Sequence, residues 1–271
     1  MLKPTMESFT TSDGVRLAFR VDDFTDPWRT HEVPLLLLHP AMSQYRRWYG
    51  WMPTLARHIP VIAPDMRGHG ASEVPDDSKP FSLERLVQDA RELLDHLGIA
   101  RVHVAGLSAG GYVGQHLAMQ SPERVASLAL FASTPGLLGT QAAGWPARIA
   151  KVGIEAFVRA TAADRFGPDV DPALVDWFCR QVGTNDPAWI GKFVTHMSSR
   201  DWTAELPRIA CPTLLVAPGH EPIGENSTYE VMAKAIPNAE LVVFDHMPHN
   251  IGDAAPERCA SELVRFLKAQ G

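Results

Sequence analysis

The sequence predicts an α/β fold: a mostly parallel central sheet flanked by helices, with a small helical insertion between two strands. Three observations predict it. Strand-like and helix-like segments alternate along most of the 271 residues, as parallel strands joined by crossover helices require. Leu35-Leu36-Leu37-Leu38 is a continuous apolar run, the pattern of a central strand covered on both faces. From about residue 135 to residue 206 the strand signal disappears and helical stretches replace it.

In chain order, residues 15–21 alternate and read as an early hairpin strand. The apolar run at 34–39 is the next strand, 45–58 a helix and 60–64 another strand. Ser82 supplies an N-cap for a helix whose apolar positions Leu86, Leu93, Leu94 and Leu97 keep a helical period. Gly98 sits where a C′ glycine ends such a helix. A strand at 101–105, a helix at 109–120 and a strand at 125–131 follow. Within the insertion, 147–162 and 172–181 are helical, and four of the seven tryptophans lie there: Trp145, Trp177, Trp189 and Trp202. Alternation resumes with a strand at 213–217, a helix at 229–235, a strand at 240–244 and a helix at 256–268. The expected organisation is a core of residues 1–134 and 207–271 carrying a helical lid, or cap, at 135–206. There is no internal repeat.

Composition narrows the function. A 45% hydrophobic and 21% charged chain is ordinary globular material. A net charge of −6 and the lack of any basic run argue against nucleic acid or an anionic membrane as partner. The N-terminus lacks the apolar stretch of a signal peptide, and Leu35 to Leu38 is far too short to span a bilayer. Cys179, Cys211 and Cys259 form no CxxC pair, so neither a disulfide framework nor a zinc site is expected. The expectation is a soluble cytoplasmic protein with a small-molecule substrate and no metal or organic cofactor, homo-oligomerisation being left open.

Gly106-Leu107-Ser108-Ala109-Gly110 is a G-x-S-x-G between a strand and a helix. A serine presenting its hydroxyl above a sheet sits on a strained strand-to-helix turn, and only glycine fits the crowded flanking positions. The following helix aims its amides and positive dipole end at a developing oxyanion. Ala109 N–H is one expected donor. The second must come from the loop His39-Pro40-Ala41-Met42-Ser43. Pro40 has no N–H, so Ala41 is the candidate, with Met42 behind it and His39 as a buttress. The bland alternative is a glycine-rich turn whose serine caps a helix, but the strand–turn–helix context favours the nucleophile.

A base is sought in Asp245-His246-Met247-Pro248-His249, after a strand, where an imidazole can reach the serine. His246 and His249 both qualify on position. The imidazole needs a carboxylate to hold its tautomer. The loop Pro218-Gly219-His220-Glu221-Pro222-Ile223-Gly224-Glu225 holds no aspartate, and Ala132-Ser133-Thr134 holds no carboxylate. Glu221 is therefore the candidate acid, with Glu225 as runner-up.

Taken together these residues resemble the α/β-hydrolase superfamily along nearly the whole chain. Asp65-Met66-Arg67-Gly68-His69-Gly70-Ala71-Ser72 looks like its D-x-R-G-x-G-x-S turn, a structural landmark. Gly106 to Gly111 matches its nucleophile elbow. His249 through Asp253, with Pro256 beyond, looks like the G-H-x(3)-[ED] of its ending, with Pro248 in place of glycine, and this selects His249 over His246. Trp145-Pro146-Ala147-Arg148-Ile149, Gly106-Leu107-Ser108 and the stretch at 201–209 are most similar to 3-oxoadipate enol-lactonases and their relatives. Three departures stand out: His39-Pro40 replaces His-Gly, the acid loop is one residue shorter, and a segment at 24–29 is added.

The resemblance implies acyl transfer through Ser108, His249 and Glu221, with Ala41 and Ala109 holding the oxyanion. Met42, Trp145 and Arg46 are the candidate substrate contacts, Arg46 (with Arg47) for a substrate carboxylate. Against them stand the ordinary readings of core tryptophans and surface arginines. The expected function is cleavage of a small ester or lactone. Rivals on the same scaffold are a cofactor-independent dioxygenase and a carbon–carbon bond hydrolase. From another class comes a non-enzymatic ligand receptor.

Overall fold

The computed structural model describes residues 5–28, 33–76, 78–167, 169–223 and 225–270. Arg29 of the added segment and Gly224 of the acid loop lie outside them, as does the N-terminal tetrapeptide. The strands are β1 (Glu7–Thr10), β2 (Arg16–Asp22), β3 (Leu35–Leu38), β4 (Val61–Pro64), β5 (Val102–Leu107), β6 (Val125–Phe131), β7 (Thr213–Pro218) and β8 (Ala239–Phe244). They form one sheet in the order β1-β2-β4-β3-β5-β6-β7-β8. β1 and β2 are an antiparallel hairpin, β2 is antiparallel to β4, and from β4 onward the pairs are parallel. The expected α/β class is the observed one.

The core helices are α1 (Met52–His58), α2 (Leu83–His96) and α3 (Ala109–Gln120) before the insertion. The insertion carries α4 (Trp145–Val152), α5 (Ile154–Ala160), α6 (Ala162–Phe166), α7 (Pro172–Val182) and α8 (Pro187–Ser198). After it come α9 (Asn226–Ala235), α10 (Ile251–Ala254) and α11 (Pro256–Lys268). The four leucines of β3 show how the two faces are filled. Leu35 and Leu37 pack with Leu55 of α1 and Leu263 of α11, whereas Leu36 and Leu38 pack with Leu93 of α2 and Val113 of α3. That is the two-residue period of a strand, and burying each leucine contributes about 2 kcal/mol.

β3 is followed in space by β4 on one side and β5 on the other, so the order reverses there. A crevice opens at such a switch point, above the strands' carboxyl ends. The loop after β3 and the turn after β5 both border it.

Three local differences from the sequence reading have clear causes. The helix expected at 45–58 is a 3-10 turn, Tyr45–Trp48, followed by α1. Pro53 cannot donate to Tyr49 and its ring would strike that carbonyl, so the helix restarts. The helix expected at 147–162 breaks at Gly153, whose φ is +81°. Helix α8 was not among the helices expected; Asp186 caps it by accepting from Trp189 N at 2.7 Å, with Pro187 in the first turn.

The chain leaves the sheet after Phe131 and rejoins it at Thr213, with α4 to α8 between. The two ends of this excursion are tied together. Trp202 N donates to Pro135 O at 3.0 Å, and Leu138 N to Arg200 O at 3.0 Å. Two insertion tryptophans act as staples, Trp189 Nε1 donating to Arg67 O at 3.0 Å and Trp202 Nε1 to Gln115 Oε1 at 2.8 Å. Among the described residues no helix is long and apolar enough to cross a membrane.

Candidate active site

Ser108 stands between β5 and α3 with φ +50° and ψ −116°, a strained conformation for a residue with a side chain. Its neighbours explain how the strain is held. A Cβ at Gly106 would overlap the backbone of Gly111, and one at Gly110 would overlap the Leu38 carbonyl oxygen. Helix α3 is thereby seated hard against β3 and β5. Ser108 N donates to Phe131 O at 2.8 Å, and Gly111 N to Ser108 O at 2.9 Å, locking the bend on both sides.

Ala109 opens α3, where the first amides have no partner within the helix. Ala41 lies across the same cavity, after β3. Among the described residues neither amide finds an acceptor within the protein. The loop is held by His39. Met66 N donates to His39 Nε2 at 2.8 Å, so that nitrogen carries the lone pair; Nδ1 therefore bears the hydrogen and donates to Pro40 O at 2.8 Å. Complete burial pushes His39 well below the usual imidazole range, which keeps it neutral and in this buttressing role.

The Asp65 turn is built the same way, as structure. Asp65 accepts from Tyr45 N at 2.5 Å and Ala71 N at 2.7 Å, while Arg67 forms a bidentate pair with Asp89 at 2.5 and 2.6 Å.

The far end of the chain supplies the other two groups. The loops after β7 and β8 are hydrogen-bonded to one another: Gly219 N donates to Phe244 O at 2.9 Å and His220 N to Met247 O at 3.0 Å. This lays Glu221 beside His249. His249 Nδ1 is 2.9 and 2.8 Å from the two Glu221 carboxylate oxygens, and His249 Nε2 is 3.1 Å from Ser108 Oγ. The carboxylate demands the hydrogen on Nδ1, leaving the Nε2 lone pair for the serine hydroxyl. Glu221 is itself held, accepting from Tyr229 Oη–H at 3.0 Å and Ile223 N at 3.0 Å. Burial raises Tyr229 well above its ordinary range, so it stays a phenol and a donor. Glu225 is exposed at the start of α9, and His246 is exposed on a turn with φ +61°; neither enters this chain of contacts.

A narrow, mostly apolar cavity covers Ser108, walled by the loop after β3 below and by α4 to α8 above. Met42 and Trp145 border it; Trp177 instead faces an outer groove. Arg46 is the one expected contact that must be corrected. It lines that outer groove with Arg20, Tyr45 and Tyr49, away from Ser108. In a 3-10 turn successive side chains point about 120° apart, so its neighbour Arg47 takes the inward direction. Arg47 is neutralised by Asp253, with Nε 2.5 Å from Oδ1 and Nη2 bonded to Oδ2. Two further cavity-lining residues, Arg165 and Asn250, were given no role by the sequence reading, which also named Arg47 only as a companion of Arg46 and did not foresee its pairing with Asp253. Asn250 and Asp253 both lie in the sequence ending that follows His249; Arg165 had no local signal.

Residues 33–171 match the family described as alpha/beta hydrolase fold. The chain belongs to that family. It is similar to a pimeloyl-[acyl-carrier protein] methyl ester esterase of Nitrosomonas europaea, 28% identical over 84% of this chain and 92% of that one. It is likewise 28% identical to 3-oxoadipate enol-lactonase 2 of Acinetobacter baylyi, over 68% of this chain and 70% of that one. Among solved structures, a hydrolase from Pseudomonas aeruginosa PA01 superposes with a TM-score of 0.84 at 31% identity, covering 97% of this chain and 98% of the other. The chain is an α/β hydrolase, and its relatives include esterases and a lactonase.

Proposed function

We propose that this hydrolase cleaves a small carboxylic ester or lactone through an acyl-enzyme, with Ser108 as nucleophile, His249 as base and Glu221 as the acid that orients it. The observation that supports the reading is the unbroken hydrogen-bonded chain Glu221–His249–Ser108 at the floor of a narrow cavity. His249 Nε2 takes the hydroxyl proton as Ser108 Oγ attacks the carbonyl carbon. The amides of Ala41 and Ala109 receive the oxyanion, and loss of one such donor costs about 3 kcal/mol of barrier. Collapse expels the alkoxide, protonated by His249; in a lactone the leaving oxygen stays tethered to the acyl group. Water then attacks the acyl-enzyme with His249 again as base. The Glu221 carboxylate stabilises the imidazolium that forms in both steps. The narrow cavity suits a small acyl group, and a methyl ester esterase and an enol-lactonase are among the relatives.

The test is a fluorophosphonate label with peptide mapping, combined with a screen of aryl esters, lactones and diketones under an oxygen electrode. Ser108 should carry the label, and Ser108→Ala should lower kcat by about 10⁴-fold or more. Retained turnover in Ser108→Ala, or oxygen uptake replacing hydrolysis, defeats the proposal.

A further inference from the structure

We infer that Arg165, together with the side-chain amide of Asn250, forms a carboxylate subsite beside Ser108, so that the preferred ester or lactone bears an acid group. The inference rests on the hydrolase reading above and adds the substrate's charge to it. Arg165 belongs to α6, is 5% exposed, and borders the cavity that covers Ser108. Its Nε reaches only the Thr161 hydroxyl at a long 3.4 Å, and its guanidinium lies 5.3 Å from the centroid of the Trp145 ring. Among the described residues no carboxylate pairs with it. The other two buried arginines are treated differently: Arg47 is matched by Asp253, and Arg67 by Asp89 and Asp13.

A guanidinium removed from water and left without an anion is costly. Burial, with the charge of Arg47 nearby, pulls Arg165 down to about 10, so at neutral pH it is still a cation. An anion entering the cavity would supply the missing partner.

A second, independent observation lies next to it. Asn250 N donates to Arg165 O at 2.9 Å, which holds α6 against the loop that carries His249. Asn250 is 6% exposed and borders the same cavity, and its Nδ2 is buried with no acceptor in the protein. A planar fork of N–H donors beside an unused amide donor fits the two oxygens of a carboxylate. The other walls, among them Val158, Leu137 and Phe178, are apolar. With Arg47 already neutralised, the free charge of one guanidinium matches a single negative charge better than a phosphate.

The experiment compares mono-p-nitrophenyl glutarate with p-nitrophenyl valerate, which differ in a terminal carboxylate against a terminal methyl. Wild type should prefer the glutarate monoester. In Arg165→Met the ratio of the two kcat/KM values should fall by about 30-fold, the worth of a charged hydrogen-bonded contact, and in Asn250→Ala by about fivefold. Calorimetry with glutarate alone should give binding to wild type that Arg165→Met loses. If Arg165→Met fails to fold by circular dichroism, Arg165→Lys and Asn250→Ala carry the test, with a smaller fall in the same ratio. If wild type turns over neither ester and Ser108 takes no label, the hydrolase reading has failed, and glutarate binding alone decides the subsite. An unchanged ratio, or glutarate that does not bind, overturns the inference.

Discussion

The elbow that carries Ser108 and the corner that joins Glu221 to His249 reach order by opposite routes. At the elbow, strain is held by short-range crowding. Ser108 keeps its positive φ because Gly106 and Gly110 allow α3 to press against β5 and the end of β3, with backbone hydrogen bonds on either side. At the acid–histidine corner, among the described residues only the exposed His246 takes a positive φ, and neither Glu221 nor His249 does. Two loops from different strands are zipped by Gly219 N to Phe244 O and His220 N to Met247 O, and the side chains meet across that seam. One region is written in consecutive residues; the other exists only once β7 and β8 are paired.

Breaking each side should therefore give different signatures. The largest effect is expected at the corner. Glu221→Gln keeps the size and removes the charge, freeing His249 to adopt the wrong tautomer, so kcat on an aryl ester should fall about 10³–10⁴-fold. Circular dichroism should show an unchanged fold. A fall below tenfold would mean that the carboxylate does not govern His249.

At the elbow, Gly110→Ala places a methyl group on the Leu38 carbonyl oxygen. It should cost about 3 kcal/mol in urea unfolding, as backbone overlap in a core does. A substitution tolerated without loss of stability would show that the packing of α3 on β3 is not what holds the bend.

The smallest effect sharpens the distinction between cavity and outer surface. Arg46→Ala alters a side chain of the outer groove, so kcat/KM for any ester should stay within about twofold of wild type. A large loss would bring the outer groove into the reaction.

How legible the site was depended on range. The elbow could be read because the serine, its flanking glycines and the strand–helix switch occupy a few consecutive positions. Glu221 was reached by elimination, since no aspartate stands in its loop. Tyr229, which donates to Glu221, gave no signal, because a tyrosine in an ordinary helix looks like core until its helix docks. Arg46 and Arg47 were indistinguishable as letters. Consecutive positions on a helical turn point in different directions, so one lines the outer groove and the other turns inward, where it found Asp253 from 206 positions away.

The sequence alone determined the alternation of strands and helices, the two faces of β3 and the bend at Ser108, because each depends on side-chain period, capping or glycine sterics within a few residues. Tertiary structure alone decided how Glu221 is held against His249, which arginine entered the cavity and which was left there without a counter-ion. Those outcomes depend on charges and donors brought together from distant segments, whose mutual positions no local rule encodes.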